Sequence, residues 1–190
     1  MLFDPTNSNN EVWDTITHEL RRGALDSKHP FRYLNLGSIG KEYPEIRTVV
    51  LRKVDQELNF YVFTDSRSEK VDEFKSNESV SLHFYHPRKR VQIRARAKAY
   101  IHQNDDLALE FWQRVQGDAQ KAYNSTLSPG EEISSPEQGW DWLENMDSSH
   151  FAVLRIIPQK IEALQLDGLN HLRIEFRKVV DGWEGTWLVP

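Results

Sequence analysis

One basic run constrains the fold of this chain more than any other feature: RKRVQIRARAKAY, residues 88–100. Apolar residues occupy every second position from Val91 to Ala99, and Gln or a cation occupies the positions between them. A period of two puts the apolar set on one face of a β-strand and the polar set on the other. Three interpretations fit that polar face: a solvated surface, a neighbouring anionic cofactor, or bound nucleic acid.

The overall charge bears on the third interpretation. The chain has 24 Lys and Arg against 29 Asp and Glu, a net charge of −5, and its basic face carries no aromatic platform. Nucleic-acid binding is therefore not expected. Cys is absent, which excludes disulfides and thiolate metal sites. None of the seven His residues falls in H-x-x-x-H or H-E-x-x-H spacing, so no metal site is predicted.

Membrane association is not expected either. No apolar run approaches the roughly 20 residues that cross a bilayer. The first ten residues, MLFDPTNSNN, have neither a basic segment nor an apolar one of the kind that signal peptides contain. We therefore expect a cytoplasmic protein.

The order of the predicted elements favours a mainly β fold. We predict one domain over residues 1–190, with an N-terminal helical segment in 1–30 and a long loop over 124–149. Helices are predicted at 10–24, 65–77 and 105–116, and strands at 31–39, 45–54, 58–64, 79–86, 88–100, 150–158, 160–166 and 172–179. Most strands follow one another without crossover helices, which favours an antiparallel barrel with helices packed outside.

The stretch FTDSRSEK, residues 63–70, has the composition of a phosphate-binding helix start. A strand ends here and a helix begins, with N-cap candidates at Ser66 and Ser68. A helix N-terminus attracts anions, and Lys70 adds a full positive charge. We expect Arg47 to reach the same point, because a hairpin would pair strands 45–54 and 58–64. The alternative is an ordinary capped helix with solvated cations.

Four spaced segments resemble pyridoxamine phosphate oxidase and its FMN-binding split-barrel relatives: RTVVLR (47–52), VFTDSRSEK (62–70), VSLHFY (80–85) and RVQIRARAKA (90–99). The chain end, from Arg173 to GTWLVP, is similar to that family more loosely. The resemblance implies a six-stranded antiparallel split β-barrel with flanking helices. It also implies a homodimer that holds two FMN molecules in clefts between its subunits.

The resemblance further implies a set of cofactor-binding residues. They come from a strand motif, an aromatic–Thr pair, a helix start, a Gln at the flavin edge, a later Ser and a C-terminal Arg: Arg47, Val49, Val50, Leu51, Arg52, Phe63, Thr64, Ser68, Lys70, Gln92, Ser128 and Arg173. The polar face of the basic strand would then look toward the flavin and the partner subunit. Arg94 and Arg96 would border the subunit interface.

The substrate half of the family pattern is less well kept than the cofactor half. Glu69 stands where the family has Arg, Asp118 where it has a substrate-binding Ser, and Leu-Asn-His at 169–171 where the oxidase has R-x-H. Phe111 and Arg114 keep the nearby aromatic and Arg. His171 and Arg114 are the candidates for a catalytic role.

These observations favour an FMN-dependent oxidoreductase with an unknown small-molecule substrate. Two alternatives stay open: a true pyridoxamine or pyridoxine phosphate oxidase, and a non-catalytic split barrel that binds flavin or haem.

Overall fold

A single antiparallel sheet forms most of the computed structural model, which describes residues 1–190. Its strands are β1 (Tyr33–Ile39), β2 (Pro44–Val50), β3 (Lys53–Val54), β4 (Phe60–Asp65), β5 (Ser79–His86), β6 (Val91–His102), β7 (Phe151–Gln165), β8 (Leu172–Val179) and β9 (Gly182–Leu188). The α-helices are α1 (Asn9–Leu25), α2 (Glu69–Ser76) and α3 (Asp106–Trp112), with 3-10 helices at Pro30–Arg32, Gly117–Tyr123 and Pro136–Trp140.

The long strand β7 pairs with β6 along one edge and with two different strands along the other. The strand order is β2-β1-β5-β6-β7-β4-β3, and β8 pairs with β7 and with β9. The first part of β7, residues 151–156, pairs with β4, whereas residues 160–165 pair with β8. The result is an unclosed antiparallel sheet with flanking helices, a split barrel, which confirms the predicted fold class.

Helix α1 supplies one wall of the main core. Ser8 caps it in a capping box with Glu11, and Val12, Ile16 and Leu20 are fully buried at helical spacing. Trp13, on a neighbouring face, packs against Phe176 with ring centroids 4.8 Å apart. The helix therefore covers one face of the curled sheet.

Strand β6 confirms the alternation predicted for residues 91–99. Val91, Ile93, Ala95, Ala97 and Ala99 are buried, and the residues between them face outward. The apolar side chains of the basic run therefore lie in the core, and its polar side chains lie on the outer face of the sheet.

Strand 45–54 differs from the prediction. It divides into β2 and β3, and β2 pairs with β1, where Arg47 lies opposite Leu36. Only β3 forms the hairpin with β4. The predicted hairpin was therefore wrong for residues 44–50, Arg47 included, and right for residues 53–54. The chain turns a corner at Leu51, whose N–H donates to the Arg32 carbonyl at 2.8 Å.

Residues 150–166 also differ, because the two predicted strands form one. The pairing with β6 shifts register between Arg96 and Ala97, where Gln159 is an extra, unpaired residue. Such a β-bulge reverses the inward parity along the strand. Strand β9 was not predicted. No helix has both the length and the apolar character that crossing a bilayer requires.

Candidate functional site

The start of α2 is the first feature of the site. Strand β4 ends at Asp65, and Ser68 takes the N-cap position, which confirms one of the two sequence candidates. The Ser68 hydroxyl donates to the Asp65 carbonyl oxygen at 2.7 Å and lies 3.2 Å from Thr64 Oγ1, so it caps no amide of the helix. The first N–H groups of α2 are thus available to an anion.

Lys70 is a cation without an ion-pair partner at this helix start. Its ammonium donates to Thr64 Oγ1 at 3.1 Å, and no carboxylate oxygen lies within 4.0 Å. Burial lowers the pKa of Lys70, and the positive charge of Arg47 lowers it further. The two cations are therefore close enough to repel each other, although β2 does not pair with β4.

Arg47 reaches the site from the core face of β2. Its Nη2 donates to both carboxylate oxygens of Glu73, at 3.1 and 2.9 Å, and its Nη1 contacts the Ser38 hydroxyl. Ser38 also donates to Glu73, which closes a three-membered cluster. We call Arg47, Thr64, Ser68, Lys70 and the first amides of α2 the cradle.

Arg67 belongs to a separate contact beside the cradle. Its Nε and Nη2 donate to the Asp65 carboxylate at 3.1 and 2.7 Å, and Nη2 also contacts Ser125 Oγ at 3.3 Å. The pKa of Arg67 is raised, first by the hydrogen bond with Asp65. Asp65 therefore neutralises Arg67 and does not oppose the cradle as an unpaired carboxylate. Glu69, the other acid of this stretch, is exposed.

A cavity of about 490 Å³ lies between α1 and α3, next to β4. Its lining is cationic and aromatic: Arg21, Arg52, Lys53 and Arg114 around Phe63 and Phe111. The Arg52 guanidinium is 5.3 Å from the Phe63 ring centroid, and the Lys53 ammonium is 5.5 Å from that of Phe111. Arg114 alone of the four cations has a close carboxylate partner, Glu110, at 2.6 Å. No carboxylate lines this cavity, which we call the cationic cavity.

The outer face of the sheet carries a third group of predicted residues. Gln92 lies opposite Leu164, which lies opposite Arg173, so these side chains share the outer face. Gln92 Oε1 is 3.2 Å from His83 Nε2, and Arg173 Nη2 donates to Glu162 at 3.0 Å. The Nε atom of Arg173 is buried and has no hydrogen-bond partner.

The family comparison agrees with the resemblance. Residues 10–103 match the family model described as pyridoxamine 5'-phosphate oxidase, FMN-binding domain. The chain is a divergent relative of the pyridoxamine phosphate oxidase family. The matched residues include the whole cradle and Gln92, whereas Ser128, His171 and Arg173 lie beyond them. A search of curated proteins found no match to this chain.

Solved structures share the split-barrel fold. A pyridoxamine 5'-phosphate oxidase-related, FMN-binding protein from Nostoc punctiforme PCC 73102 is 21% identical, with a TM-score of 0.78 and full coverage of both chains. PhzG from Burkholderia lata 383, solved with tetrahydrophenazine-1-carboxylic acid, is 16% identical, with a TM-score of 0.73 over 100% of this chain and 98% of that one. General Stress Protein 26 from Bacillus anthracis is 17% identical, with a TM-score of 0.52 over 80% and 98%.

The remaining positions implied by the oxidase family are spread over the molecule. Val49 lies on the core side of β2 and Val50 on its outer side. Leu51 is fully buried, and its N–H and carbonyl both bond to Arg32. Ser128 N–H donates to Glu131 at 2.8 Å within the 124–149 segment. These four stay predictions as cofactor contacts.

The two catalytic candidates are placed differently. Arg114 lines the cationic cavity. His171 lies in the exposed turn before β8, where its Nδ1 accepts the Asp167 N–H at 3.1 Å. Asp118, at the position of the family's substrate-binding Ser, pairs with Lys121 at 2.8 Å and is exposed to solvent.

Sequence reasoning missed Ser38 and Glu73, the two partners of Arg47. The β1–β2 register places Ser38 near Arg47. Glu73 follows Lys70 by three positions on α2, so both side chains lie on the same face of that helix. A sequence prediction that paired β1 with β2 would have identified Ser38. Glu73 carried no signal beyond its place next to the buried Phe74.

A buried cluster of Glu19, His29 and His86 was also missed, because its members are far apart in sequence. Their potential ligand atoms lie within 4.8 Å of one another. Both His residues accept a backbone N–H at Nδ1, however, so in the neutral ring the proton is on Nε2. Lys89 also donates to Glu19 at 2.9 Å. These contacts favour a hydrogen-bonded ion pair and leave no ring nitrogen free to bind a metal.

Proposed function

We propose that this chain binds FMN and acts as an FMN-dependent oxidoreductase, with the flavin phosphate in the cradle. The observation that carries the proposal is Lys70, a largely buried ammonium without an anionic partner at an uncapped helix start. A buried charge is costly unless it is paired. A phosphate would supply the missing partner to Lys70 and accept from the first amides of α2.

The donor set suits a phosphate monoester. Arg47 and Lys70 approach from β2 and α2, and Thr64 and Ser68 add hydroxyls. Charge-assisted hydrogen bonds contribute about 1.5–3 kcal/mol each before association costs. Several such bonds are of the order that a micromolar ligand needs, about −8 kcal/mol. The match of the family model over the same residues supports this assignment.

The cationic cavity is our candidate for the substrate site. Its aromatic rings and its unpaired cations suit a planar, negatively charged compound. Phe63 lines this cavity and the next residue, Thr64, belongs to the cradle, so the two sites use the same end of β4 on its opposite faces. Bound FMN would supply the hydride chemistry, and the side chains of the cavity would bind and orient the substrate.

We also propose that the protein is a homodimer. Arg47 lies on the core side of β2, whereas Gln92 and Arg173 are on the outer face of the sheet. One flavin held by both groups would take them from two copies of the chain. Arg96, an outer-face cation without an ion-pair partner within 4.0 Å, would lie at their contact.

The first test is the cofactor itself. Purified protein should show flavin absorption and release FMN on denaturation. Replacing both Arg47 and Lys70 by Ala should weaken FMN binding by at least about a hundredfold, because two charge-assisted contacts are lost. Lys75→Ala is the matched control: this exposed cation is on the same helix but pairs with Asp72.

Two outcomes would contradict the proposal. A preparation that takes up no FMN would show that FMN is not the cofactor. An unchanged FMN affinity in the double variant would show that the cradle does not bind the phosphate. Stopped-flow absorption then tests catalysis with a panel of planar anionic reductants that includes pyridoxamine 5'-phosphate. Reduction of the bound flavin by none of them would favour a non-catalytic flavoprotein.

A further inference from the structure

The Arg47–Glu73–Ser38 cluster gives the cradle a feature that phosphate binding alone does not explain. Glu73 is 8% exposed and Ser38 is 5% exposed, so the carboxylate is deep in the protein. It holds Arg47 through both oxygens and leaves the guanidinium one main orientation. A phosphate that enters the cradle therefore meets an Arg that is already paired with an anion.

The charge balance of the cradle follows from this pairing. Arg47 and Lys70 bring two positive charges, and Glu73 brings one negative charge within hydrogen-bond distance of the first. The neighbouring Asp65 is neutralised by Arg67 at 2.7 Å. The cradle therefore offers about one net positive charge to a phosphate group that carries up to two negative charges.

We propose that Glu73 sets how strongly the cradle distinguishes a phosphorylated flavin from an unphosphorylated one. It keeps Arg47 in place through hydrogen bonds and weakens phosphate binding through its charge. This inference rests on the proposed FMN function and concerns a residue that would not touch the flavin rings. The charge of Glu73 would therefore affect binding only at the phosphate end of the ligand.

Glu73→Gln separates the two effects, because the amide oxygen can still accept from Arg47 and from Ser38 while the charge is lost. We expect FMN to bind about tenfold more tightly, since one repulsive charge near the phosphate is gone, and riboflavin to bind as before. Fluorescence titration of apoprotein with each flavin measures both. The FMN affinity of the variant should also fall more steeply with salt.

Two control variants distinguish the loss of the Glu73 charge from a disturbance of the surrounding structure. Asp72→Asn removes one negative charge from the exposed side of the same helix and should leave the FMN-to-riboflavin ratio unchanged. Ser38→Ala breaks the cluster without a change of charge and should also leave that ratio unchanged. If Glu73→Gln does not fold, Glu73→Ala is the second variant: it removes the charge together with the hydrogen bonds to Arg47. The freed guanidinium can then pair with the phosphate, so the FMN-to-riboflavin ratio should rise here too.

The outcomes are distinct from those of the proposed function. A parent protein that binds neither flavin overturns both proposals. A parent that binds FMN, with a Glu73→Gln variant whose FMN-to-riboflavin ratio is equal or lower, overturns the role of Glu73 alone. A rise in that ratio in Glu73→Gln, but not in Asp72→Asn or Ser38→Ala, supports it.

Discussion

At the scale of single residues, burial decides which charges need partners. Glu19 on α1 is 3% exposed, and it accepts hydrogen bonds from Lys89, His29 and Arg22. Burial alone would raise the pKa of Glu19, but the hydrogen bonds of these partners outweigh burial and lower that pKa from 4.5 to about 2. The carboxylate therefore joins α1 to the turn between β5 and β6.

This pairing predicts an acid-dependent stability. A carboxylate with a folded pKa of about 2 and an unfolded pKa of 4.5 stabilises the fold fully above pH 4.5, and the contribution is lost as pH falls toward 2. Glu19→Gln should lower the free energy of unfolding by about 2–3 kcal/mol at pH 7, and the difference from the parent should vanish near pH 2. Urea unfolding at several pH values measures this difference.

The exposed Asp72 provides the comparison for that experiment. Its pair with Lys75 is at the surface, so Asp72→Asn should change stability by no more than about 0.5 kcal/mol at any pH. A Glu19→Gln protein that stays as stable as the parent at pH 7 would show that the buried pair contributes nothing net.

At the scale of elements, the sequence predicts the strands better than their partners. The alternation in β6 and the periodic apolar face of α1 depend on local pattern, and both are confirmed. The pairing of β2 with β1 depends on the corner at Leu51, and the single strand β7 depends on the bulge at Gln159. Neither a corner nor a bulge produces a periodic sequence pattern from which it could be predicted.

The candidate site shows the same division. The strand end and helix start that hold Thr64, Ser68 and Lys70 are local features, so sequence motifs identified them. Glu73 and Ser38 join Arg47 through tertiary packing, which no motif encodes. Sequence reasoning therefore found the cations of the cradle and missed the acid that balances one of them.

Helix α1 packs closely on the turn that precedes β1, and this contact gives an element-scale prediction. A Cβ added at Gly23 would lie 2.7 Å from Phe31 Cβ and 3.0 Å from the Phe31 carbonyl oxygen. Gly23→Ala should therefore lower the free energy of unfolding by about 1–3 kcal/mol, despite the better helix propensity of Ala. Gly139→Ala, whose Cβ would meet only Ile133 at 3.5 Å, is the control and should be neutral. A stabilised Gly23→Ala protein would show that α1 can move away from Phe31.

At the scale of the whole molecule, both faces of the sheet carry candidate site residues. The core face leads to Arg47 and Lys70, and the outer face carries Gln92, Arg96 and Arg173. On the outer face, Arg94 and Arg173 share the buried carboxylate of Glu162, whereas Arg96 is unpaired. Of the six cations in residues 88–100, four pair with carboxylates of the chain, and Arg88 and Arg96 do not. Of these two, only Arg96 lies on strand β6.

The proposed dimer makes cofactor binding depend on assembly. Because one flavin would draw on the cradle of one copy and the outer face of the other, Arg96→Glu should give a monomer that has lost FMN, with its own fold intact. Sedimentation velocity and flavin absorption in the same cell measure both properties. Lys178→Glu, the same charge change at an exposed position of β8, should keep the dimer and the flavin. A monomeric Arg96→Glu protein that still holds FMN as tightly as the parent would show that one copy of the chain forms the whole site.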